Sequence, residues 1–403
     1  MTHDTTTTYE PFPMERAARC PFDPPPAGTR LRDETPITRV TLSDGTTPWF
    51  VTRYDEARRL LADPRLSSDA GRPGYPAPGA SERGGSSISF ILMDDPDHAR
   101  LRRMVTAPFA VKRIEALRPA VQRIADDLID ALVAGGQPVD LVETFALPLP
   151  SLVICELLGV PYERHDFFQQ HSKEVIRRTA TVQERQAAFA ELGGYMAELL
   201  AEKQRTPAED LFSDLGKRVD AGELEAHEAV QMGVLLLIAG HETTANMIAL
   251  GTLALLEHPE QLAELRQSGD PVLVASAVEE MLRYLTITHD GRKRVATEDI
   301  EIAGVTIRAG DGVVVATDLA NRDPAVFEDP DRLDLERNPR AHVAFGFGIH
   351  QCLGQPLARV ELQVVYSTLF RRLPNLRLAT PVDRIPFKHD GSVYGVYELP
   401  VTW

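Results

Sequence analysis

The feature that most constrains the fold is one long helical stretch that contains a polar pair. Apolar periodicity runs from about Glu225 to Glu257, and Pro259 follows its end. About 33 residues at 1.5 Å each predict a helix of roughly 50 Å, long enough to cross the whole protein. Its most apolar part, Met232–Gly240, is too short to span a bilayer and continues directly into His241 and Glu242. The stretch therefore predicts a long helix inside a soluble protein.

Composition and charge describe a soluble, acidic chain. The sequence has 403 residues, with 43 Lys plus Arg against 59 Asp plus Glu, a formal charge of −16. An acidic protein is a poor general ligand for nucleic acid or an anionic membrane, because the phosphates repel it. The first residues, MTHDTTTTYEPFPMER, lack the basic and apolar segments of a signal peptide. We expect a cytoplasmic protein that binds neither nucleic acid nor membrane.

Predicted strands and helices interleave along the chain without a linker. Residues 1–30 are Pro-rich and predict an extended surface segment, and residues 68–87 form a Gly-, Pro- and Ser-rich loop. Hairpin or strand patterns occupy residues 39–54, 294–317 and 386–403, and helical patterns occupy 55–62, 97–200, 225–257, 276–285 and 357–373. The interleaving favours one large domain over residues 1–403 that is mainly α with small β-sheets.

The centre of the long helix reads LLLIAGHETTANMIAL, residues 235–250. Adjacent ionisable residues in so apolar a segment are costly to bury without partners. Three explanations are open: the helix surfaces at this point, the pair is buried and satisfied, or a functional site lies in mid-helix. Ala239 and Gly240 leave room against the backbone, and hydroxyls at Thr243 and Thr244 loosen a helix by bonding to the preceding turn.

A second motif, EEMLR, places Glu280 and Arg283 at i and i+3, so the two side chains face each other on one side of a helix. On this evidence alone a solvated surface pair is the commoner explanation, and such a pair contributes little to stability.

The third motif is AFGFGIHQCLG, residues 344–354, in which Phe345, Gly348, Cys352 and Gly354 fit F-x-x-G-x-x-x-C-x-G. The other cysteines, Cys20 and Cys155, complete no disulfide framework or zinc pattern with it. Helical periodicity begins directly after the loop, and a helix N-terminus favours thiolate over thiol. An inert buried cysteine is the commoner state of a lone thiol, but it does not explain the surrounding glycines.

Together the three motifs, in this order and at these separations, resemble those of the cytochrome P450 superfamily. Within it the chain looks like the soluble class of actinomycete bacteria that tailors secondary metabolites or degrades xenobiotics. Supporting stretches are DDPDHARLRRMV, ANRDPAVFEDPDRLDLER and HQCLGQPLARVEL. The resemblance covers nearly the whole chain and implies the P450 fold.

The resemblance implies a haem b held by Cys352 as the proximal thiolate, which favours O–O cleavage. Phe345 and Gly354 would lie beside the haem on the cysteine side, and Ala239 and Gly240 beside it on the long helix. The family positions that hold the haem propionates fall on His98, Arg102, Arg294 and His350.

The AGHETT segment matches the family motif A-G-x-[DE]-T. Glu242 is then the acid that supplies protons for oxygen activation, and Thr243 is the hydroxyl that relays them. His241 falls at a variable position and receives no role. The motif also implies a helix distorted over the haem. Glu280 and Arg283 match the family's E-x-x-R pair, joined by Arg337, and are structural.

By the same resemblance the protein is a monooxygenase that uses O2, and NAD(P)H through other proteins, as a monomer. The chain shows no fused reductase, so a ferredoxin and a ferredoxin reductase are the expected partners. Basic candidates for docking an acidic ferredoxin are Arg100, Arg103, Lys112, Arg113 and Arg359; scattered solvated charges are nearly as good an explanation.

The expected reaction is hydroxylation or epoxidation of a bulky apolar molecule such as a macrolide or polyketide, a terpenoid, a steroid-like compound or a xenobiotic. Two alternatives stay open: oxidative coupling or ring formation without oxygen insertion, and a haem-binding protein without catalysis. The loop at residues 68–87 would be a mobile lid. By analogy the pocket is lined by Leu92, Leu235, Ala239, Ile287, His289, Val393 and Tyr394.

Overall fold

Helices form most of the chain in the computed structural model, which describes residues 8–17, 20–77, 89–177 and 179–403. The predicted class, mainly α with small β-sheets, is confirmed. The α-helices are α1 Pro26–Glu34, α2 Tyr54–Leu61, α3 Asp97–Thr106, α4 Val111–Gly135, α5 Pro148–Leu158, α6 His165–Ile176, α7 Val182–Arg205, α8 Leu211–Asp220, α9 Ala226–Glu257, α10 Pro259–Ser268, α11 Pro271–Leu285, α12 Thr317–Ala320 and α13 Gln355–Arg372.

Short strands form three small sheets at the periphery of the helices. The largest has the order β1-β2-β8-β5-β3, in which β2 and β8 are parallel and the other neighbours antiparallel; a second has the order β4-β10-β9, and β6 pairs with β7. The strands are β1 Ile37–Arg39, β2 Trp49–Val51, β3 Leu66–Ser67, β4 Val139–Asp140, β5 Arg292–Ala296, β6 Ile300–Ile302, β7 Val305–Ile307, β8 Gly312–Val315, β9 Arg377–Leu378 and β10 Pro400–Thr402.

The long helix α9 is the centre of the main hydrophobic core. It packs against α5, α7, α8, α11 and α13. Its most apolar window of 18 residues is 83% buried inside the protein, so its hydropathy reflects a core position. Close packing with α13 depends on Gly251, because a Cβ there would lie 2.0 Å from the Tyr366 hydroxyl. That hydroxyl donates to Met247 O at 2.6 Å.

The ends of several elements differ from the sequence prediction for local reasons. Helix α1 begins at Pro26, inside the stretch predicted to be extended, because proline is well tolerated in a first helical turn. Helix α11 begins at Pro271, because the Asp270 side chain accepts from Val272 N at 2.8 Å and caps it. The C-terminal strand β10 pairs with β4 and β9, and the predicted hairpin is confined to residues 387–396. Residues 78–87 of the predicted lid lie outside the described residues.

A buried ion pair on α11 organises the segment that follows the large sheet. Arg283 Nε and Nη2 donate to Glu280 Oε2 and Oε1 at 2.7 and 2.8 Å, and both side chains are 0% exposed. Arg283 Nη1 also donates to the carbonyls of Asn321 and Pro330. Arg337 Nε reaches Glu280 Oε1 at 3.1 Å. The structure thus brings together the three predicted structural residues, and the surface alternative for Glu280 and Arg283 does not hold.

We expect Arg283→Ala to lower the free energy of unfolding by about 3–5 kcal/mol, because it leaves the Glu280 carboxylate buried without its cation. Arg283→Lys should recover little of this loss, since lysine cannot form the two-pronged contact. Urea denaturation followed by circular dichroism measures both variants.

The matched control is Arg372→Ala, which removes an arginine that is 34% exposed and paired with Asp126 and Asp130. That change should cost no more than about 1 kcal/mol. An Arg283→Ala protein as stable as this control would contradict the structural role of the pair.

Candidate functional site

The loop at residues 344–354 leaves Cys352 exposed. Cys352 N donates to Phe345 O at 2.9 Å, which closes the loop on itself. Gly348 has φ +76°, and a Cβ there would lie 2.4 Å from Leu61 O. Only glycine fits such a close approach with a left-handed backbone. The Cys352 residue has solvent-accessible surface, although many protein atoms lie around it at distances beyond direct contact.

The protein alone does not favour a thiolate at this position. Burial raises the pKa of the Cys352 thiol above its ordinary value. The backbone amides of Gly354 and Gln355 and the guanidiniums of Arg292 and Arg102 lower this pKa, but burial outweighs them. The stabilisation of the thiolate that was expected from the helix N-terminus is therefore smaller than the cost of burying the thiolate charge. A bound metal ion reverses the balance, because coordination deprotonates a thiol outright.

Two histidines and an arginine gather beside the cysteine loop. The rings of His98 and His350 lie 4.2 Å apart, and His98 Nδ1 lies 3.0 Å from Asp95 Oδ1. The other nitrogen, His98 Nε2, is buried without a hydrogen-bond partner. Arg102 Nη2 donates to Gln351 O at 2.5 Å. Burial lowers the pKa of His350 to about 3, helped by Arg294, His98 and Arg102.

Strand β5 adds two buried arginines to this cluster. Arg292 and Arg294 are two residues apart in a strand and therefore point to the same face. Burial lowers the pKa of both side chains. Arg292 Nη2 donates to Ala344 O at 3.3 Å, and its buried Nε has no partner. Sequence analysis missed Arg292, because the predicted strand began at Arg294; a strand two residues longer would have revealed it.

The long helix supplies an accessible surface within an otherwise buried segment. Between Met232 and Leu255, every residue other than Ala239, Gly240 and Thr243 is buried. The helix is not distorted here, contrary to expectation: it continues without interruption, and Thr243 Oγ1 donates to Ala239 O at 2.8 Å. Gly240 has a packing explanation, since a Cβ there would lie 2.7 Å from Ile154 Cγ1.

These features fit a metal-bearing group with acidic substituents. The accessible Cys352 residue provides a sulfur ligand. Arg102, Arg292 and Arg294 provide cations, His98 and His350 provide ring nitrogens, and the buried His98 Nε2 and Arg292 Nε lack partners. Buried guanidiniums require anions, and two carboxylates would supply them.

Glu242 lies on the other side of Thr243, away from the accessible surface of α9. Its Oε2 lies 3.8 Å from Lys388 Nζ and 3.5 Å from Asn246 Nδ2, and its side chain is 7% exposed. Asn246 Nδ2 also donates to Glu242 O at 2.7 Å. The Glu242 carboxylate is therefore buried beside Lys388 and Asn246, while Ala239, Gly240 and Thr243 remain accessible on a neighbouring face of α9.

A fully buried acid, Glu361 on α13, was missed by sequence analysis. Neither carboxyl oxygen has a hydrogen bond of good geometry. Burial raises the pKa of Glu361 to about 8, and the nearby Thr244 hydroxyl opposes this shift only in part. The helical pattern marks this position as one of many polar sites on an amphipathic helix. Only the three-dimensional packing of α13 on α9 shows that it is buried.

The predicted pocket residues divide into two groups. Leu235 and Ile287 are buried, and Leu92 and Val393 are half-buried. Tyr394 N donates to Ile287 O at 2.8 Å, and the rings of His289 and Tyr394 stack at 4.8 Å. The N-terminal segment reaches this pair: the Arg16 guanidinium lies 4.0 Å over the Tyr394 ring and contacts His289 Nδ1. Arg16 thus holds His289 and Tyr394 in place as one unit.

Two of the five basic docking candidates are already paired. Arg100 Nη2 donates to Glu228 Oε1 at 2.5 Å, which ties α3 to the start of α9. Arg359 binds both carboxylate oxygens of Glu279 at 2.6 and 3.0 Å. The other three, Arg103, Lys112 and Arg113, are exposed.

The fold, the cysteine loop and the cluster of basic side chains fit the class of proteins that bind a metal-bearing prosthetic group through a cysteine. The chain belongs to the cytochrome P450 family: the family's sequence model, Cytochrome P450, matches residues 162–391. Cytochrome P450 GfsF of Streptomyces halstedii is 55% identical over 396 residues, which cover 97% of this chain and 96% of that protein. The crystal structure of GfsF matches with a TM-score of 0.93, covering 98% of this chain and 100% of that one.

Two further proteins are similar over nearly the whole chain. The 20-oxo-5-O-mycaminosyltylactone 23-monooxygenase of Streptomyces fradiae is 44% identical over 96% of this chain and 91% of that protein. The mycinamicin VIII C21 methyl hydroxylase MycCI of Micromonospora griseorubida, solved with mycinamicin VIII, has a TM-score of 0.92 and 40% identity, covering 98% of this chain and 100% of that one. The chain is accordingly an oxidoreductase of the P450 monooxygenase class, which uses haem iron and O2.

Glu361 predicts how stability depends on pH. The folded protein keeps this carboxyl protonated up to about pH 8, whereas an unfolded chain releases the proton near the ordinary glutamate pKa of about 4.3. Unfolding therefore becomes easier as pH rises through this window, by about 1.4 kcal/mol for each pKa unit at most.

Glu361→Gln cannot ionise, so its stability relative to the parent protein should increase between about pH 5 and pH 8. Thermal melting of both proteins at intervals across this range measures the difference. The two melting curves would shift in parallel with pH if Glu361 were ionised in the folded protein, and that result would exclude the buried acid.

Proposed function

We propose that this P450 hydroxylates, or epoxidises, a bulky apolar small molecule such as a macrolide or polyketide, a terpenoid, a steroid-like compound or a xenobiotic. The group held by Cys352 is a haem b, and when bound it supplies the iron that activates O2. His98, Arg102, Arg292, Arg294 and His350 hold its propionates. Electrons come from NAD(P)H through a ferredoxin reductase and a ferredoxin in the cytoplasm, and the enzyme works as a monomer.

The pairing of Glu242 with Thr243 on α9 carries this proposal. Thr243 lies on the accessible part of the helix with Ala239 and Gly240, and its hydroxyl donates to Ala239 O. The Glu242 side chain points in a different direction around the helix, and it is buried. A carboxylate and a hydroxyl on adjacent residues can pass a proton from one side of α9 to the other. Coupling reactions without oxygen insertion have less need of such a relay.

Apolar walls support a bulky apolar substrate. Leu235, Ile287 and Tyr394 belong to the main hydrophobic cluster, and Val393 packs against it. Such walls exclude water and contribute binding energy roughly in proportion to the apolar area that the substrate covers. The 20-oxo-5-O-mycaminosyltylactone 23-monooxygenase and the hydroxylase solved with mycinamicin VIII support a bulky substrate for this chain as well.

We expect Thr243→Ala to lower the oxygenated product formed per NAD(P)H at least about 10-fold, because the relay loses its hydroxyl. Thr243→Ser keeps the hydroxyl and should stay near the parent protein. Each sample is first reduced under carbon monoxide, since a Soret band typical of thiolate ligation certifies bound haem with Cys352 as the ligand. The substrate is selected by titrating the protein with panels of macrolactones, terpenoids and steroids and measuring the change in the spin state of the haem iron.

Mass spectrometry of the product under labelled O2 separates the candidate reactions. Gain of one labelled oxygen atom is the expected result. Loss of two hydrogens without added oxygen would establish coupling or ring formation instead. A haem-loaded protein that shows no thiolate-type band with carbon monoxide would refute the role of Cys352.

We place the ferredoxin on the face formed by the cysteine loop, α3 and the start of α4. The contact of Arg102 with Gln351 holds α3 against that loop. Arg103, Lys112 and Arg113 are exposed on these two helices, and the apolar side chains of Val111 and Ile349 are exposed as well. An apolar centre with surrounding cations suits an acidic partner.

Charge reversal at Arg103, Lys112 and Arg113 should raise the ferredoxin concentration needed for half-maximal turnover about 10-fold. The same triple variant should show a weaker dependence on salt, because fewer ion pairs are screened. Lys217→Glu, on α8, reverses an exposed charge elsewhere and serves as the control. Unchanged ferredoxin and salt dependence in the triple variant would move the docking face to another surface.

A further inference from the structure

The C-terminal hairpin, residues 387–396, packs directly on the polar centre of α9. Its two arms are joined by the Phe387–Val396 bridge and by Lys388 N donating to Gly395 O at 2.9 Å. Gly395 touches Asn246 so closely that a Cβ would lie 1.7 Å from Asn246 Oδ1. The backbone of the hairpin therefore fixes where the Lys388 side chain begins.

The Lys388 side chain ends beside the acid of the proposed relay. Its Nζ lies 3.8 Å from Glu242 Oε2, and the two side chains are 15% and 7% exposed. His241 lies on the other side of the carboxylate, with Nε2 4.0 Å from Oε1. His241 Nδ1 lies 2.7 Å from Leu237 O, and its buried Nε2, which faces Glu242, has no hydrogen-bond partner. Among the described residues, Lys388 provides the positive charge next to Glu242.

We propose that Lys388 is a positioning residue of the proton relay: its ammonium holds the Glu242 carboxylate on the hairpin side of α9 between turnovers. This inference rests on the proposed function of Glu242. Successive residues of a helix point about 100° apart, so Glu242 and Thr243 face different directions. A charge that fixes the resting direction of Glu242 determines when the acid can turn toward Thr243.

The energetics of a buried pair support this role. A carboxylate this deeply buried is costly without a cation, and removing one partner of such a pair makes the remaining group take up or release a proton. Burial lowers the pKa of Lys388, whereas Glu242 and Asp390 raise it.

Other charged and titratable groups surround the pair. Lys173 of α6 lowers the pKa of Lys388 and lies with it over the Tyr397 ring, with both Nζ atoms at 5.7 Å. Tyr397 donates from its hydroxyl to Asp390 Oδ1 at 2.6 Å. Arg177, at the end of α6, bridges to Gly391 of the hairpin and pairs with Glu174. These contacts connect α6 to the hairpin, and Lys388 is the hairpin residue that forms an ion pair with Glu242.

The test compares Lys388→Met with Lys388→Arg in the haem-loaded full chain. Infrared titration follows the carboxylic acid band that Glu242→Gln removes, which assigns the band to Glu242. Lys388→Met should move the midpoint of this band about 1 to 3 pH units higher, because the carboxylate loses the opposite charge. Lys388→Arg should stay near the parent midpoint. Lys217→Met removes an exposed lysine that pairs with Asp214 and should change nothing.

A second measurement uses turnover. The fall of product yield toward high pH should move upward in Lys388→Met by the same amount as the infrared midpoint and should be restored in Lys388→Arg. If Lys388→Met is unstable, the double variant Lys388→Met/Glu242→Gln, which buries neither charge, should recover its melting temperature. That recovery would itself be evidence that the two side chains form a pair.

An unchanged infrared midpoint in Lys388→Met would overturn the inference. So would an arginine variant that behaves like the methionine variant, since the positive charge would then not be the determinant. The infrared titration does not depend on oxygen insertion. A protein that forms no oxygenated product would refute the proposed function, and the titration would still decide the role of Lys388.

Discussion

The buried ion pair between Glu280 and Arg283 fixes the chain segment that leads into the cysteine loop, and the rest of the site depends on the position of that loop. Arg283 contacts the carbonyls of Asn321 and Pro330, and Glu280 Oε1 accepts from Asp334 N at 3.0 Å. Asn321 in turn accepts from Val343 N at 2.7 Å, directly before the cysteine loop. A chain of hydrogen bonds thus runs from one arginine to the loop that presents Cys352. A buried pair adds little net stability, but losing one partner leaves an uncompensated charge.

The centre that this segment supports is electrostatically incomplete without its cofactor. Burial raises the pKa of the Cys352 thiol and lowers the pKa of Arg292, Arg294 and His350. All four shifts disfavour the charged forms. A haem with an iron for the sulfur and carboxylates for the cations would reverse every one of them. Binding of the cofactor and stability of the fold are therefore coupled. The side chains that are costly to bury in the protein alone gain partners of opposite charge when the cofactor binds.

The sequence predicts most of the fold and only part of the site, for a physical reason. Helical periodicity locates α9 to within one residue of its observed start, because the signal is local and long. The i, i+3 spacing places Glu280 beside Arg283, but the third member, Arg337, lies 57 residues from Glu280 along the chain and came from the resemblance. Arg100 and Arg359 look like free surface charges in sequence, whereas their carboxylates lie 128 and 80 residues away. Glu361 and Lys388 escape notice because tertiary packing gives them their environment.

Three consecutive polar residues of α9 show how one helix serves three purposes. Successive side chains turn by about 100°, so Glu242, Thr243 and Thr244 meet three different surroundings. Glu242 faces Lys388 of the hairpin, Thr243 faces the accessible stripe with Ala239, and Thr244 lies near the buried acid Glu361 on α13. No distortion of the backbone is needed to bring an acid and a hydroxyl to the site, because helical geometry alone separates their directions. In the proposed relay the side chains must therefore move for a proton to pass, and the role proposed for Lys388 is to hold the Glu242 side chain until this movement occurs.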